Sequence, residues 1–302
     1  VPSRNGIVVQ TSRGGVYSGW PSLAGSLGPM TRTVADTAAV LGVIVGYDPE
    51  DPLTAYAVGQ ALPSFKNFLD GDSLKGARFG ILREPMGIDS EPESDDFRKV
   101  DEVFDNAVGE LKAAGAEIID PIVIPKLNEL LAKRAAGPGE GEQSFKNFFG
   151  RSKNPPFQSI AEAMASPEFA NVSRNAQSRM KASQDATRHY HALLAREELM
   201  TNLLKAMTDH RLDAIVHKAV EHQPTLISEG LKPPYVNYKG APHLNTFLVY
   251  VPSVVVPAGF TRDELPAGIV FLGCPYDDGN MLKFAYAYEQ ATKHRRPPSF
   301  AA

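Results

Sequence analysis

A strand, a helix and a second strand follow one another over residues 77–124, and this unit constrains the fold more than any other stretch. Residues 77–82 and 116–124 are apolar runs of strand length. Between them Ser94 can cap a helix, Gly115 can end it, and apolar residues recur at helical spacing. A crossover helix joins parallel strands, and parallel sheets are covered on both faces. The unit therefore predicts an α/β fold in which neighbouring parallel strands form a covered sheet.

Three more strands and a closing helix are predicted downstream. The strands are residues 213–216, 246–257 and 268–273, which are rich in aliphatic and aromatic side chains. Residues 279–292 repeat apolar positions at helical spacing.

The stretch between the second and third strands lacks strand patterns. We expect a mainly helical insertion at about residues 125–209, within a single domain that covers residues 1–302. The longest helix of this insertion is predicted at residues 182–207. Its inward side chains are expected to be Tyr190, Leu193, Leu194, Leu199, Leu203 and Leu204.

Near the N-terminus, an irregular segment turns into a helix. Pro29 lacks a backbone donor, Thr33 can cap the free N–H groups of the first turn, and Asp36 favours the positive helix end. Apolar residues then recur at helical spacing up to Gly46, which suits a left-handed helix stop. This pattern predicts a loop held in place at the start of a buried helix.

The composition argues against several classes of function. The net charge is −4 and the basic residues are scattered, so no stripe suits nucleic acid. No apolar run reaches the roughly 18 residues of a membrane helix. The one cysteine, Cys274, can form neither an internal disulfide nor a two-cysteine metal motif. We expect a cytoplasmic protein that binds neither nucleic acid nor membrane.

The residues alone show no complete catalytic group. His189 and His191 point in divergent directions on a helix, and the other histidines lack matched carboxylates, so we expect no metal. No Gly-x-Ser-x-Gly motif occurs. Cys274 follows a predicted strand and is a candidate nucleophile, with a buried structural role as the alternative.

Several separated motifs follow one another in a recognisable order. Residues 28–36 read GPMTRTVAD, residues 46–54 read GYDPEDPLT, and residues 74–82 read LKGARFGIL. Nearer the C-terminus, residues 254–260 read VVVPAGF and residues 287–292 read AYEQAT. Together these motifs resemble the amidase signature family of amide hydrolases, and the resemblance extends over most of the chain.

The resemblance implies an incomplete amidase signature fold, which is an α/β fold with a mixed, largely parallel central sheet flanked by helices on both faces. It also implies hydrolysis of a linear amide C–N bond by a Ser-Ser-Lys mechanism that needs no cofactor. A neutral lysine accepts a proton through a bridging serine, so that a second serine can attack the carbonyl carbon. None of these three residues can be transferred onto a residue of this chain. We therefore expect the C-terminal two thirds of an amidase, with the catalytic residues upstream of Val1. The alternative is a non-catalytic amidase-like binding or scaffold protein.

What this chain could contribute is the other wall of the substrate pocket. The candidates for substrate contact, each with a packing or surface role as the alternative, are Arg179, Tyr238, Asn245, Phe247 and Tyr250. The residues expected to lie structurally near the site are Ser26, Arg32 and Asp36. The expected partner is a small-molecule amide substrate, and a homodimer is possible.

Overall fold

The computed structural model describes residues 28–47, 64–134, 152–172, 185–233, 238–248 and 251–297, with a few short stretches between these ranges. The helices are α1 (Val34–Ile44), α2 (Asp95–Ala113), α3 (Leu127–Leu131), α4 (Ile160–Ala165), α5 (Ala186–His210), α6 (Ile227–Gly230), α7 (Leu244–Leu248) and α8 (Asp278–Thr292). The strands are β1 (Arg78–Leu82), β2 (Glu117–Ile122), β3 (Ala214–Lys218), β4 (Ser253–Phe260) and β5 (Pro266–Leu272).

The five strands form one sheet in the order β2-β1-β3-β5-β4. β1 pairs in parallel with both β2 and β3. β5 runs antiparallel to both of its neighbours, β3 and β4. Four strands thus share one direction, which confirms the predicted mixed, largely parallel sheet.

Helices cover both faces of this sheet, as predicted. α1, α2 and α8 form one layer, which packs on strand residues such as Phe79, Val216 and Phe271. α3, α5 and α7 form the other layer, which packs on Ile215, Leu272 and their neighbours. Because successive strand residues face opposite sides, β1, β2, β3 and β5 contribute to both cores, whereas β4 contributes to the first core only.

The crossover between β1 and β2 follows its sequence signals closely. Ser94 Oγ accepts a hydrogen bond from the Phe97 backbone N–H at 3.1 Å, which caps α2. The apolar residues at helical spacing are buried at Phe97, Val100, Phe104 and Leu111 and partly buried at Val108. Gly115 follows the helix with φ +94°, a value that favours glycine. The predicted strand–helix–strand unit is confirmed.

α1 begins where the sequence predicts and ends differently. Thr33 Oγ1 accepts the Asp36 backbone N–H at 3.1 Å, and Val34 donates its backbone N–H to Glu289 of α8 at 3.0 Å. The extended residue Val45 ends the helix. Gly46 has φ +156°, far from the left-handed helical value of about +57°. The predicted left-handed stop is therefore wrong, because the chain leaves the helix in an extended conformation.

The face that α5 buries agrees with the prediction at Leu199 and Leu203, which are fully buried, and differs from it elsewhere. Tyr190, Leu193 and Leu194 are 58%, 36% and 51% exposed, so placing them inward was wrong. The buried stripe is Ala192, Ala195, Leu199, Leu203, Ala206 and Met207. Three residues of this stripe are alanines, whose small side chains allow the helix to pack closely. A prediction based only on large apolar residues does not include them.

Residues 244–248 are helical, although the sequence predicts a strand from residue 246. Leu244, Phe247 and Leu248 are buried in the core that α5 shares with the sheet. This spacing of three and four residues suits a helix packed on another helix. β4 accordingly begins at Ser253, later than expected.

The described parts of residues 125–209 contain helices and turns and no strand. Among all described residues, no helix is both long and apolar enough to span a membrane.

Candidate functional site

The carboxyl ends of β1 and β3 lie side by side, at the edge of the sheet where α/β proteins commonly bind ligands. Residues 83–90 leave β1 at this edge, and residues 219–223 leave β3. Residues 238–243 contact both segments through backbone hydrogen bonds and a bridge. We call these three segments the carboxyl-edge loops.

Backbone hydrogen bonds hold the carboxyl-edge loops together. Gly240 donates its N–H to the Ile88 carbonyl at 2.6 Å, and Glu221 donates its N–H to the Gly240 carbonyl at 2.8 Å. Gly87 and Pro242 form an antiparallel bridge. The three loops are therefore one connected structure.

Glycine is required where these loops meet. Gly240 has φ +68°, and a Cβ atom there would lie 2.4 Å from the His222 backbone nitrogen. A Cβ atom on Gly87 would lie 2.5 Å from the carbonyl carbon of Gly240. No L side chain fits such distances, so the approach of the loops depends on both glycines.

A buried carboxylate joins the loops from β1 and β3. Glu221 is 2% exposed. Its Oε1 accepts the Met86 backbone N–H at 2.9 Å, and its Oε2 accepts the Gly87 backbone N–H at 2.8 Å. These bonds satisfy a charge that would be costly to bury alone. Glu221 is thus a structural clamp whose acceptor capacity is largely used.

An ionic group lies at the rim of the same loops. Lys239 Nζ donates to Glu91 Oε1 at 2.5 Å, and His222 Nε2 lies 3.5 Å from Glu91 Oε2. The hydrogen bond from Lys239 holds the pKa of Glu91 below its usual range. His222 also donates from Nδ1 to the Gln223 carbonyl at 2.7 Å. Both nitrogens of His222 therefore have polar neighbours.

His217, one residue before the end of β3, has a different environment. It is 3% exposed, and its Nδ1 lies 2.8 Å from the Lys218 carbonyl oxygen. A carbonyl only accepts, so Nδ1 carries the proton and Nε2 carries a lone pair. Nε2 is buried and has no hydrogen-bond partner in the described structure. Burial lowers the pKa of His217 to about 4, which keeps the ring neutral at pH 7.

Lys218, the next residue, faces the opposite side of the sheet. Its side chain is 4% exposed, and its Nζ lies 2.8 Å from Asp101 Oδ1 on α2. The same ammonium group lies 3.9 Å from the centroid of the Phe97 ring. The Lys218 ammonium group therefore has both a carboxylate and an aromatic ring as partners. His217, on the other face of the sheet, instead keeps one buried nitrogen without a hydrogen-bond partner in the described structure.

Two of the predicted pocket residues lie in the third carboxyl-edge loop and in the helix that follows it. Tyr238 begins the third loop and is 48% exposed, whereas Phe247 on α7 is 6% exposed and packs in the core shared with α5. The backbone of Asn245 lies in α7. Arg179 and Tyr250 lie outside the described residues.

The three residues predicted to lie structurally near the site occupy another part of the chain. Arg32 and Asp36 are exposed at the start of α1, in the helical layer on the opposite face of the sheet from α7. Ser26 lies outside the described residues. The structure therefore does not bring Arg32 and Asp36 together with Tyr238 and Phe247.

The polar residues that organise this edge were not predicted from the sequence. Gly240 lies between the predicted pocket residues Tyr238 and Asn245, whereas Glu221 and Gly87 carry no prediction and His217 is considered only as a metal ligand. A signal was available, because residues 217–223 read HKAVEHQ directly at the end of a buried strand. Polar residues at the carboxyl end of a buried parallel strand indicate a ligand edge or a structural clamp.

The candidate thiol lies at the other end of the sheet. Cys274 follows β5 at the edge where β3 begins, and its sulfur lies 3.6 Å from the sulfur of Met207. Burial and the charge of Asp277 raise the pKa of the thiol. A raised pKa disfavours the thiolate that a nucleophile needs. Cys274 therefore fits a packing role.

An open cleft of about 620 Å³ also lies at this second edge, beside the starts of β1 and β3. Arg78 in its wall already donates to the His210 carbonyl at 2.7 Å and to Glu117 at 2.5 Å. The Arg78 cation is thus already paired with a carboxylate of the same cleft. Among the described residues, no group of three His, Cys, Asp or Glu side chains could hold a metal ion.

Comparison with known proteins agrees with this fold. A model of the Amidase family matches residues 7–282. A probable amidase of Arabidopsis thaliana is 28% identical over 293 residues, which are 92% of this chain and 50% of that protein. A glutamyl-tRNA(Gln) amidotransferase subunit of Dehalococcoides mccartyi is 26% identical over 284 residues, which are 90% of this chain and 56% of that subunit.

A solved structure of a peptide amidase resembles this chain over its whole length. The native peptide amidase of Stenotrophomonas maltophilia superposes with a TM-score of 0.70 and 26% identity, over 100% of this chain and 59% of that one. The chain thus spans about half the length of the curated relatives it matches. The family match extends over all five strands and confirms the resemblance seen in the sequence motifs. The chain therefore belongs to the amidase family.

Proposed function

We propose that the protein hydrolyses the C–N bond of a small amide, and that this chain forms one wall of its substrate pocket. The observation that carries the proposal is the match of the amidase family model over residues 7–282. The likeness to a peptide amidase, at 26% identity over the whole chain, supports amides of amino acids as the first substrates to test.

The chemistry that we propose is a Ser-Ser-Lys mechanism, with all three groups in a segment that precedes Val1. The lysine takes the proton of the bridging serine, which takes the proton of the nucleophilic serine as its oxygen attacks the carbonyl carbon. Backbone N–H groups stabilise the oxyanion. The proton passes to the leaving nitrogen as the C–N bond breaks, and water then hydrolyses the acyl-enzyme ester.

This chain would contribute binding groups at the carboxyl-edge loops. Tyr238 offers a partly exposed phenol beside these loops. Arg179, Asn245, Phe247 and Tyr250 remain candidates for substrate contact, with Phe247 acting through packing because it is buried. Arg32 and Asp36 would support the α1 junction on the other layer.

The remaining organisation is also a proposal. We favour one amidase domain over residues 1–302 with a helical insertion at about 125–209, and a cytoplasmic location, which the single cysteine supports. A homodimer is compatible with this organisation. The scattered basic residues support a small-molecule partner over nucleic acid.

The test uses the protein together with its preceding segment. A fluorophosphonate probe should label one serine upstream of Val1, and the protein should release ammonia from N-acetyl-L-phenylalaninamide. Peptide mapping by mass spectrometry locates the label. The control is Cys274→Ala, which should keep its activity because Cys274 lies at the opposite edge of the sheet.

Two results would overturn the proposal. Absence of both labelling and hydrolysis across a panel of amides would favour the non-catalytic binding or scaffold protein. Loss of activity in Cys274→Ala with unchanged thermal stability would instead favour a thiol mechanism.

A further inference from the structure

The buried polar side chains of residues 217–223 have partners, with one exception. Lys218 pairs with Asp101, Glu221 accepts two backbone N–H groups, and the Gln223 side chain donates to Thr261 at 3.0 Å. His222 faces Glu91 with its second nitrogen. Only Nε2 of His217 is buried in this segment without a hydrogen-bond partner in the described structure. An unpaired buried acceptor is costly, so its presence needs an explanation.

The geometry of His217 makes this nitrogen an acceptor. The Nδ1–H donates to the Lys218 carbonyl at 2.8 Å, which holds both the tautomer and the ring orientation. The lowered pKa keeps the ring unprotonated down to acidic pH. Nε2 therefore presents one lone pair in a defined direction and needs an N–H or O–H donor.

The position of His217 relates it to the proposed site. It lies in β3 next to the carboxyl edge, opposite Val270 of β5. Alternation along β3 places its side chain on the face of Ile215, which is the face covered by α5 and α7. Phe247, one of the pocket candidates, lies in that same layer. Lys218, by contrast, points to the α2 side and already has its partners.

We propose that His217 is a substrate-binding residue whose Nε2 accepts a hydrogen bond from the N–H of the bound amide. The inference rests on the proposed amide hydrolysis and assigns a specificity to it. An amide carries N–H donors at the scissile bond, whereas an ester with the same acyl group carries none there. A site that holds an unpaired acceptor discriminates strongly against an analogue that lacks the donor. His217 should therefore favour amides over esters.

The experiment compares N-acetyl-L-phenylalaninamide with N-acetyl-L-phenylalanine methyl ester, using the protein with its preceding segment. His217→Leu should lower kcat/KM for the amide relative to the ester by about 10-fold or more, because the acceptor is lost. His217→Gln should restore part of this preference, since its side-chain oxygen can accept a hydrogen bond.

His294→Leu is the control. His294 lies beside α2, away from the carboxyl-edge loops, and its Nε2 already lies 2.9 Å from Glu110 Oε1. This variant should leave the amide-to-ester ratio unchanged. Equal ratios in wild type and His217→Leu would overturn the proposal and indicate that a water molecule or another protein segment satisfies Nε2.

A spectroscopic measurement separates failure of this proposal from failure of the proposed function. If the wild-type protein hydrolyses neither compound, the proposed function fails. The ¹⁵N resonance of His217 Nε2 then still tests binding. A shift on adding the amide, absent on adding the ester, supports the proposal, and no shift with the amide overturns it. The same measurement applies if His217→Leu does not fold.

Discussion

At the scale of single residues, Lys218 shows how a buried charge is held. Its ammonium group has Asp101 on one side and the Phe97 ring on another. Asp101→Ala should lower the free energy of unfolding by about 2 kcal/mol, because it leaves a desolvated cation without its carboxylate. Urea denaturation measures this change.

The control for this prediction is made in a background that lacks the charge. Lys218→Met replaces the cation with an apolar chain of similar length, and buried ion pairs can often be replaced in this way without loss. Asp101→Ala added to the Lys218→Met variant should therefore have a much smaller effect. An equal loss in both backgrounds would show that Asp101 stabilises α2 by some other means.

At the scale of elements, the carboxyl-edge loops depend on backbone approach. Gly240→Ala should lower the free energy of unfolding by at least about 2 kcal/mol, because φ is +68° and the new Cβ would lie 2.4 Å from the His222 nitrogen. Amide exchange at Glu221, which donates to the Gly240 carbonyl, should become faster.

Gly42→Ala is the matched control for Gly240→Ala. Gly42 lies within α1 and has no atom within 4 Å of the position of an added Cβ. This substitution should raise stability by up to about 1 kcal/mol, since alanine favours a helix over glycine. Similar losses at both glycines would contradict the role assigned to the loop contact.

The same elements show what the sequence could and could not predict. α2 and its cap were predictable because Ser94, the apolar face and Gly115 act locally. The buried face of α5 was not, because its contacts use alanines that fit close to the neighbouring core. α7 was mistaken for a strand because Leu and Phe suit either element, and only packing on α5 decides.

The candidate site was harder to predict than the fold for a physical reason. Glu221, Gly87 and Gly240 lie far apart in the sequence, and each looks ordinary in its own segment. Their roles arise only when β1 and β3 pair in parallel and bring the loops together. Tyr238 stays a prediction for the pocket wall, whereas no local pattern indicates the unpaired nitrogen of His217.

At the scale of the whole molecule, His217 also makes stability depend on pH. Its pKa is about 4 in the folded protein, against 6.5 in its ordinary state. The unfolded chain therefore binds more protons than the folded chain between these values, and stability rises with pH across this window. At about 1.4 kcal/mol per pKa unit, the contribution lost between pH 7 and pH 4 is on the order of 3 kcal/mol.

His217→Leu removes this proton uptake from both states. The free energy of unfolding of the variant should therefore fall less than that of the wild type as the pH is lowered from 7 to 4. Both proteins contain the same carboxylates, so the effects of the carboxylates cancel in the comparison. Chemical denaturation at several pH values measures the two curves. Curves that stay parallel would mean that His217 accepts a proton inside the fold, and a ring that can do so would not remain the neutral acceptor that binding of an amide N–H requires.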